Sequence, residues 1–345
     1  MKVPVIQYKC PNCGSDMRFD SASGMLSCAS CGRKDNVEFV EDPLLRATFE
    51  EDEARQYHCN SCGAVILTEP ETSATVCSFC GSAVALGDRL TGELAPVKVI
   101  PFKIGKQEAI AAFKKWCKNG LMTPRGFMTA DRIKSITGIY VPFWLYDLQT
   151  HVEASGNGTR VKSYRRGEYR ITETQHFDVY RKLRLHYVHV PVDAAEKMKD
   201  ELMDRLEPFT FKELKRFNTA YLAGYVAEKY SFDEQQMVSR ARVKVAPYIE
   251  QALSGTVGSY SSISFPSKQV YTKVQRADYV LLPVWIVNYD FDRMEHTFAM
   301  NGQTGKVVGK PPISKAKVAG YGALFVGGGF IAMRALQWMM GGGLW

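Results

Sequence analysis

Apolar residues fall into four regimes along the chain, and each regime predicts different elements. Up to about residue 90 they come in short runs between cysteines and glycines. Val3-Pro4-Val5-Ile6-Gln7-Tyr8 and Val37-Glu38-Phe39-Val40 read as short strands flanking the first cysteine group. From Ala95 the runs lengthen. Val97-Lys98-Val99-Ile100-Pro101-Phe102 predicts a strand ended by proline, and Lys106 to Lys118 places Ile110, Phe113, Trp116 and Cys117 on one face of a helix. Gly138 to Asp147 is almost wholly apolar, as a buried strand is. Leu183, Leu185 and Tyr187 then alternate with Lys182, Arg184 and His186, the period of a half-exposed strand. Arg165-Arg166-Gly167-Glu168 reads as a hairpin tip and Asn157-Gly158-Thr159 as a hairpin turn. Helical segments are expected at about 194–206, 211–229 and 233–253, with a glycine/serine loop from Ser254 to Ser264. Tyr279 to Val308 predicts three strands turning at Asp292-Arg293 and Asn301-Gly302. Pro142-x-Trp144 and Pro283-x-Trp285 lie in similar apolar strands, so a diverged internal repeat is one reading and a single α+β domain the other. The last regime, Val318 to Met333, carries no charge.

Cysteine spacing supplies the chemistry. Cys10-x2-Cys13 is followed after fourteen residues by Cys28-x2-Cys31, and the same spacing recurs as Cys59-x2-Cys62 and Cys77-x2-Cys80. Each group offers four thiolates, which close a tetrahedral zinc site with no open position. A glycine follows every pair (Gly14, Gly32, Gly63, Gly81), so each knuckle can turn tightly and aim backbone N–H groups at sulfur. Tyr57 precedes the second group as Tyr8 precedes the first, as a duplication would have it; His58 reads as an exposed neighbour of a complete ligand set. Two structural zinc ions are expected.

The net charge of +8 divides unevenly: residues 1–95 hold 8 Lys+Arg against 14 Asp+Glu, and the remainder is strongly basic. Ribbons that grip nucleic acid need cations to displace phosphate counterions, and these are acidic. The N-terminus has no long apolar run of a signal peptide, so the thiolates are expected in a reducing cytoplasm. The predicted organisation is zinc ribbon 1 at 1–40, an acidic linker at 41–55 and zinc ribbon 2 at 56–90. A basic α+β domain at 91–315 and a hydrophobic membrane segment at 316–345 complete it. The expected fold class is two small β zinc ribbons, an α+β domain and a C-terminal transmembrane helix.

The uncharged run alone spans about 24 Å as a helix, and extension to Met340 gives about 34 Å, enough for a hydrocarbon core of about 30 Å. Arg334 would then snorkel near the far interface, where Trp338 and Trp345 also suit. Lys306, Lys310, Lys315 and Lys317 place the preceding chain in the cytoplasm by the positive-inside rule. Ala319, Ala323 and Gly327 form a smooth ridge at which a further tail helix, from the same protein or another, can associate. An interfacial helix and a buried core helix are the alternatives.

No catalytic constellation is legible. Gly302-Gln303-Thr304-Gly305-Lys306-Val307 has two residues between its glycines where a phosphate loop has four, and fits a β-turn. His151, His176, His186, His189 and His296 show no metal or triad spacing, and the lone Cys117 reads as a packed apolar residue.

The whole chain resembles a bacterial family of paired zinc-ribbon proteins whose ribbons are of the transcription-factor-IIB type and which end in a hydrophobic tail. The resemblance is carried by Tyr140-Val141-Pro142-Phe143-Trp144-Leu145-Tyr146-Asp147, Val190-Pro191-Val192-Asp193, Glu207-Pro208-Phe209, Tyr221-Leu222-Ala223-Gly224-Tyr225 and Phe298-Ala299-Met300-Asn301-Gly302-Gln303-Thr304-Gly305-Lys306. Members are often labelled primosomal or helicase-like, but no helicase motif is present here. The resemblance implies membrane partners encoded beside phage-shock-protein-A-like and SPFH (flotillin-like) proteins. It transfers only the eight cysteines as site residues. The expected function is a non-enzymatic, membrane-anchored adaptor that docks protein partners through its ribbons and lies against anionic lipid. The rival is a nucleic-acid-binding protein of transcription or replication, drawing on Lys182, Arg184 and the Arg165-Arg166 tip.

Overall fold

The computed structural model describes the chain apart from residues 1–4, 44–56, 64, 67, 69–71, 78–79, 81, 87–89, 91–94, 119–121, 125–126, 128–132, 292–293 and 340–345. The expected turn at Asp292-Arg293 and most of the acidic linker therefore lie outside the described residues, as do Trp345 and the side chain of Trp338.

Ribbon 1 follows a short leading strand, β1 (Val5–Ile6), and contains β2 (Met17–Asp20), β3 (Met25–Cys28) and β4 (Lys34–Asn36). Val37–Phe39, expected as a strand, is a 3-10 turn capped by the Asn36 side chain, which accepts from the Glu38 N–H. Ribbon 2 contains β5 (Tyr57–His58), β6 (Val65–Ile66), β7 (Thr72–Val76) and β8 (Ala83–Leu86). The body follows with β9 (Lys98–Val99), α1 (Lys106–Lys118), β10 (Ile133–Arg166), β11 (Tyr169–Asp193), α2 (Asp200–Arg205), β12 (Lys215–Arg216) and β13 (Val226–Glu228). Then come α3 (Glu234–Gly255), β14 (Ser262–Phe291), β15 (Met294–Asn301), β16 (Val307–Val308) and α4 (Lys315–Met339).

The body is dominated by sheet, not the balanced α+β domain expected. One sheet runs β1-β8-β7-β13-β10-β14-β15-β16, with β11 beside β10, β9 beside β14 and β12 beside β9. The expected 211–229 helix resolves into two 3-10 turns, Phe211–Glu213 and Thr219–Leu222, and the strand β13. All four residues Thr219–Leu222 are buried, so no polar face remains to stabilise an amphipathic helix. The expected 194–206 helix shortens to α2. Asn157-Gly158-Thr159 is no turn either, since it lies within β10. Its glycine lets the Tyr260 ring approach to 2.8 Å of where a Cβ would stand, and Gly156 similarly admits the Ser264 carbonyl. β14 takes over from the expected loop at Ser262.

The long central strands are buried on both faces where they cross the body. Tyr140, Trp144, Tyr146, Tyr279, Leu281 and Trp285 pack on one face with Phe113 of α1 and Val245 and Ile249 of α3. Val141, Phe143, Leu145, Val280, Leu282 and Val284 pack on the other with Met203, Leu206 and Phe209. That double burial is why both stretches read as continuous apolar runs.

The internal repeat is real in the topology. Shifting by 141 residues carries Ile139 and Tyr140 onto Val280 and Leu281. The first pair is matched in parallel by Val226 and Ala227 of β13, the second by Lys98 and Val99 of β9. The chain thus folds as two β–α–β–β units (β9-α1-β10-β11 and β13-α3-β14-β15) around an approximate two-fold axis between β10 and β14. The two tryptophans of the repeated Pro-x-Trp reach across that axis. Trp144 Nε1 donates to the Phe232 carbonyl just before α3, and Trp285 Nε1 donates to the Ile104 carbonyl just before α1, each at 2.9 Å. Each indole satisfies its one donor by tying down the other unit's helix start.

Ribbon 1 is stapled to this body. The Phe19 N–H donates to the Ala223 carbonyl at 2.8 Å and its ring meets Tyr221 edge-on at 5.4 Å. Asp42 accepts from the Thr219 N–H at 2.9 Å and from its hydroxyl at 2.8 Å, while Asn218 donates to the Val40 carbonyl at 3.0 Å. Truncating Phe19 to alanine should cost about 3–5 kcal/mol of unfolding free energy. Urea denaturation would show it as a lowered midpoint at unchanged zinc content.

Candidate metal centres

A tight turn precedes the second ligand in the Cys10/Cys13, Cys28/Cys31 and Cys59/Cys62 pairs, and the glycine after it takes the left-handed conformation. Gly14, Gly32 and Gly63 have φ of 71, 77 and 74°, and their N–H groups donate to the carbonyls of Cys10, Cys28 and Cys59. Gly81 lies outside the described residues. The four sulfurs of each group lie within 4.8 Å of one another. Cys10–Cys31 and Cys13–Cys28 stand at 3.4 and 3.6 Å; Cys59–Cys80 and Cys62–Cys77 stand at 3.6 and 3.8 Å. A tetrahedron with Zn–S of about 2.3 Å has S···S edges of about 3.8 Å, so both sets fit the ion. A disulfide at about 2.05 Å does not fit these spacings. All eight predicted ligands are therefore brought together in two four-cysteine sites. In each, the first and third cysteines are buried and the second and fourth exposed.

Two serines missed in the sequence reading complete the sites. The Ser15 N–H and hydroxyl serve Cys13 and bring that thiol down to about 6. The Ser82 hydroxyl and N–H do the same at Cys80, also to about 6, with Oγ 3.1 Å from Sγ. The repeated Cys-Gly-Ser (Cys13-Gly14-Ser15, Cys80-Gly81-Ser82) was the signal.

The two ribbons share an interface. β1, which leads into the first knuckle, pairs with β8 of ribbon 2 through Val5↔Leu86 and Ile6↔Ala85. Gln7 Nε2 lies 3.5 Å from Cys59 Sγ, and Lys9 Nζ donates to Ser61 Oγ at 2.7 Å. Asp16 of ribbon 1 accepts from Ser82 and pairs with Lys9. Ribbon 2 in turn enters the main sheet, since β7 pairs with β13.

Cys117, His58 and the 302–307 segment join neither cysteine group. Cys117 is buried, and that burial pushes its thiol up to about 12. His58 is exposed. The 302–307 segment is a turn in which Asn301 Oδ1 accepts from the Gln303 and Thr304 N–H groups at 2.9 and 3.0 Å. A cleft of about 570 Å³ opens between Arg18–Ser21, Lys106 and Gly138 above Tyr225 and Trp285; neither cysteine nor histidine lines it.

α4 stands apart from all of this. Lys315–Gln337 has a mean hydropathy of 1.3, is long and apolar enough to cross a membrane, and none of its most apolar stretch is buried.

Two ribbons of one design define a paired zinc-ribbon protein, and residues 8–42 match the TFIIB zinc-binding family. Uncharacterized protein YdjG of Bacillus subtilis (strain 168) is 58% identical over 339 residues, covering 98% of this chain and 99% of that protein, and the chain belongs to its family. No solved structure matches.

Proposed function

We propose that the protein is a non-enzymatic adaptor, anchored in the cytoplasmic membrane by α4 with its ribbons and body in the cytoplasm. The observation that carries the reading is the exposed apolar surface of α4. Phe325 is 81% exposed, Val326 75% and Ile331 70%, an arrangement that water does not tolerate over a whole helix and a bilayer does. Twenty-three residues span about 35 Å, sufficient for the hydrocarbon core. Lys315 and Lys317 in the first turn, with Lys306 and Lys310 just before, favour a cytoplasmic start.

The closed four-cysteine sites leave no coordination position for a reacting water, which supports a structural use of the metal. Ribbon 1 commits Phe19 and Asp42 to the body, leaving its knuckles and Phe39 (87% exposed) for a partner. By family resemblance those partners are SPFH (flotillin-like) or phage-shock-protein-A-like proteins, and the basic body would lie against anionic headgroups at about 1 kcal/mol per apposed cation.

Deleting residues 316–345 should move the protein from the membrane pellet to the soluble fraction with both zinc ions retained. Full-length protein in the soluble fraction, or an unchanged distribution after the deletion, overturns the anchor. Tight gel-shift binding to DNA that falls steeply with salt would instead favour the transcription or replication reading.

A further inference from the structure

The β10–β11 hairpin runs on past the body as an arm. β14 leaves β10 at Thr159, opposite Ser262, while β10 and β11 stay paired out to Arg166 and Tyr169. Along this length β11 is an edge, since among the described residues its only strand partner is β10. Leu183, Leu185 and Tyr187 pack inward on the core, whereas Tyr180, Lys182, Arg184 and His186 on the opposite face are exposed.

An open edge presents unpaired N–H and C=O groups, and soluble proteins normally blunt it with proline, a bulge, brevity or charged side chains. Between Tyr169 and Tyr187 β11 uses only charge, which repels another cationic strand and leaves an acidic one free to approach. The stretch contains no proline or glycine, and its register against β10 is unbroken from Leu148↔Tyr187 to Arg166↔Tyr169. The Tyr180 carbonyl accepts from Arg181 Nη1 at 2.9 Å, a side-chain contact that an incoming backbone N–H can replace.

The arm is also cationic beyond what its own fold requires. Residues 160–184 hold eight Lys/Arg against three Asp/Glu. Lys182 is paired with Glu153 at 2.5 Å, and Arg160 sits over the Phe177 and Tyr260 rings at 5.0 and 5.1 Å. Lys162, Arg165, Arg166 and Arg184 have no carboxylate partner among the described residues. Arg165 stands directly across from Arg170 in the register. Like charges so placed destabilise a hairpin, so the tip sacrifices stability to keep its charge. Tyr169 beside it is 78% exposed.

We propose that the edge of β11 accepts an acidic, extended polypeptide segment of a partner protein as an added strand, its carboxylates meeting Arg184 and the Arg165/Arg166 tip. Water satisfies these groups in the free protein, and an extended polypeptide backbone matches them in register; a nucleic acid or a lipid headgroup does not supply the alternating donors and acceptors. The cations select acidic side chains, and a second copy of the arm would bring the same positive charge against them. The position suits an adaptor. Through β15 and β14, Val308 lies level with Thr137, and α4 starts a few residues beyond, so anchor and arm tip sit at opposite ends of β10. The proposal rests on the adaptor reading for its use and names the partner chemistry.

The test uses the zinc-loaded full chain in detergent and a fluorescein-labelled twelve-residue peptide of alternating glutamate and valine, read by anisotropy. Binding should weaken at least tenfold when alternate peptide nitrogens are methylated, which removes ladder donors and keeps every charge. It should weaken at least tenfold again in the Arg165→Glu/Arg166→Glu/Arg184→Glu variant, whose zinc content and melting curve confirm folding. No binding of the parent peptide at millimolar concentration, equal binding of the methylated peptide, or full binding by the variant overturns the proposal. Tighter, arginine-dependent binding of a fifteen-nucleotide oligo-dT or of phosphatidylglycerol in mixed detergent micelles also overturns it, by making the arm a nucleic-acid or membrane surface. Because the readout is in detergent, a soluble cellular distribution would remove the anchor and leave this result standing.

Discussion

Replacing Cys10 and Cys13 with serine should unfold far more of the protein than the same change at Cys59 and Cys62. Either pair of substitutions lowers bound zinc from about two equivalents to about one. The cores behind the two sites differ. Cys10 and Cys28 belong to the main cluster, together with Met17, Phe19, Leu26, Tyr140 and Tyr225. Cys59 and Cys77 lie in a small separate cluster with Val5, Tyr57, Val84 and Leu86. Structural zinc contributes on the order of 10–16 kcal/mol in finger peptides, as much as the whole net stability of a typical domain at about 5–15 kcal/mol. Loss of the first ion therefore removes ordered ribbon from beneath the sheet, exposing Phe19, Tyr221 and Tyr225 to water. Loss of the second frays the β1-β8-β7 end of the sheet, which gives the main cluster only Ile6 and the small residues Ala74, Ala83 and Ala85. Metal analysis with near-UV circular dichroism melts checks this. The Cys59/Cys62 variant should keep the cooperative transition of the body, and the Cys10/Cys13 variant should lose it; indistinguishable melts would refute the asymmetry.

That asymmetry could not be read from the cysteines, which are alike in both ribbons. The zinc ligands were legible because a tetrahedral ion constrains spacing within a few residues, and glycine marks each turn. Helix α1 was legible for a similar local reason: one apolar face over thirteen residues, with bounds at Lys106 and Lys118 as the periodicity predicts. The 211–229 segment failed because its burial comes from two sides, ribbon and sheet, and periodicity cannot report a neighbour 180 residues away. β10 failed differently. Its pattern changes in mid-strand, apolar on both faces at Tyr140–Tyr146 and alternating further on, so one strand of 34 residues looked like several. The Pro-x-Trp repeat was visible, but only the register turned it into a two-fold in which each tryptophan holds the other unit.

A single-residue effect outside the metal sites as large as that of Phe19→Ala is expected at Arg240. This α3 residue reaches Asp193 at the end of β11 at 2.7 Å, and Asp200 and Asp204 of α2 at 3.0 and 3.2 Å. Asp193 is only 1% exposed. Burial pushes its carboxyl above the ordinary range, Arg240 opposes that rise, and Asp200 and Asp204 add to it. Lys244 is occupied by Asp204 and Glu207, so it cannot replace Arg240 at Asp193. Arg240→Ala would thus leave an uncompensated buried carboxylate, at a cost of about 3–5 kcal/mol. The pH dependence has a definite sign. A carboxyl whose folded pKa is raised binds its proton more tightly when folded, so the penalty is present above the raised pKa and fades as pH falls through it. The deficit of Arg240→Ala relative to wild type should therefore shrink as pH is lowered from neutral in urea denaturation with excess zinc. Adding Asp193→Asn should recover part of it at pH 7.5, because a neutral amide needs no counterion. A deficit that is independent of pH and untouched by Asp193→Asn would mean that Arg240 acts through its packing alone and that the Asp193 charge is inconsequential.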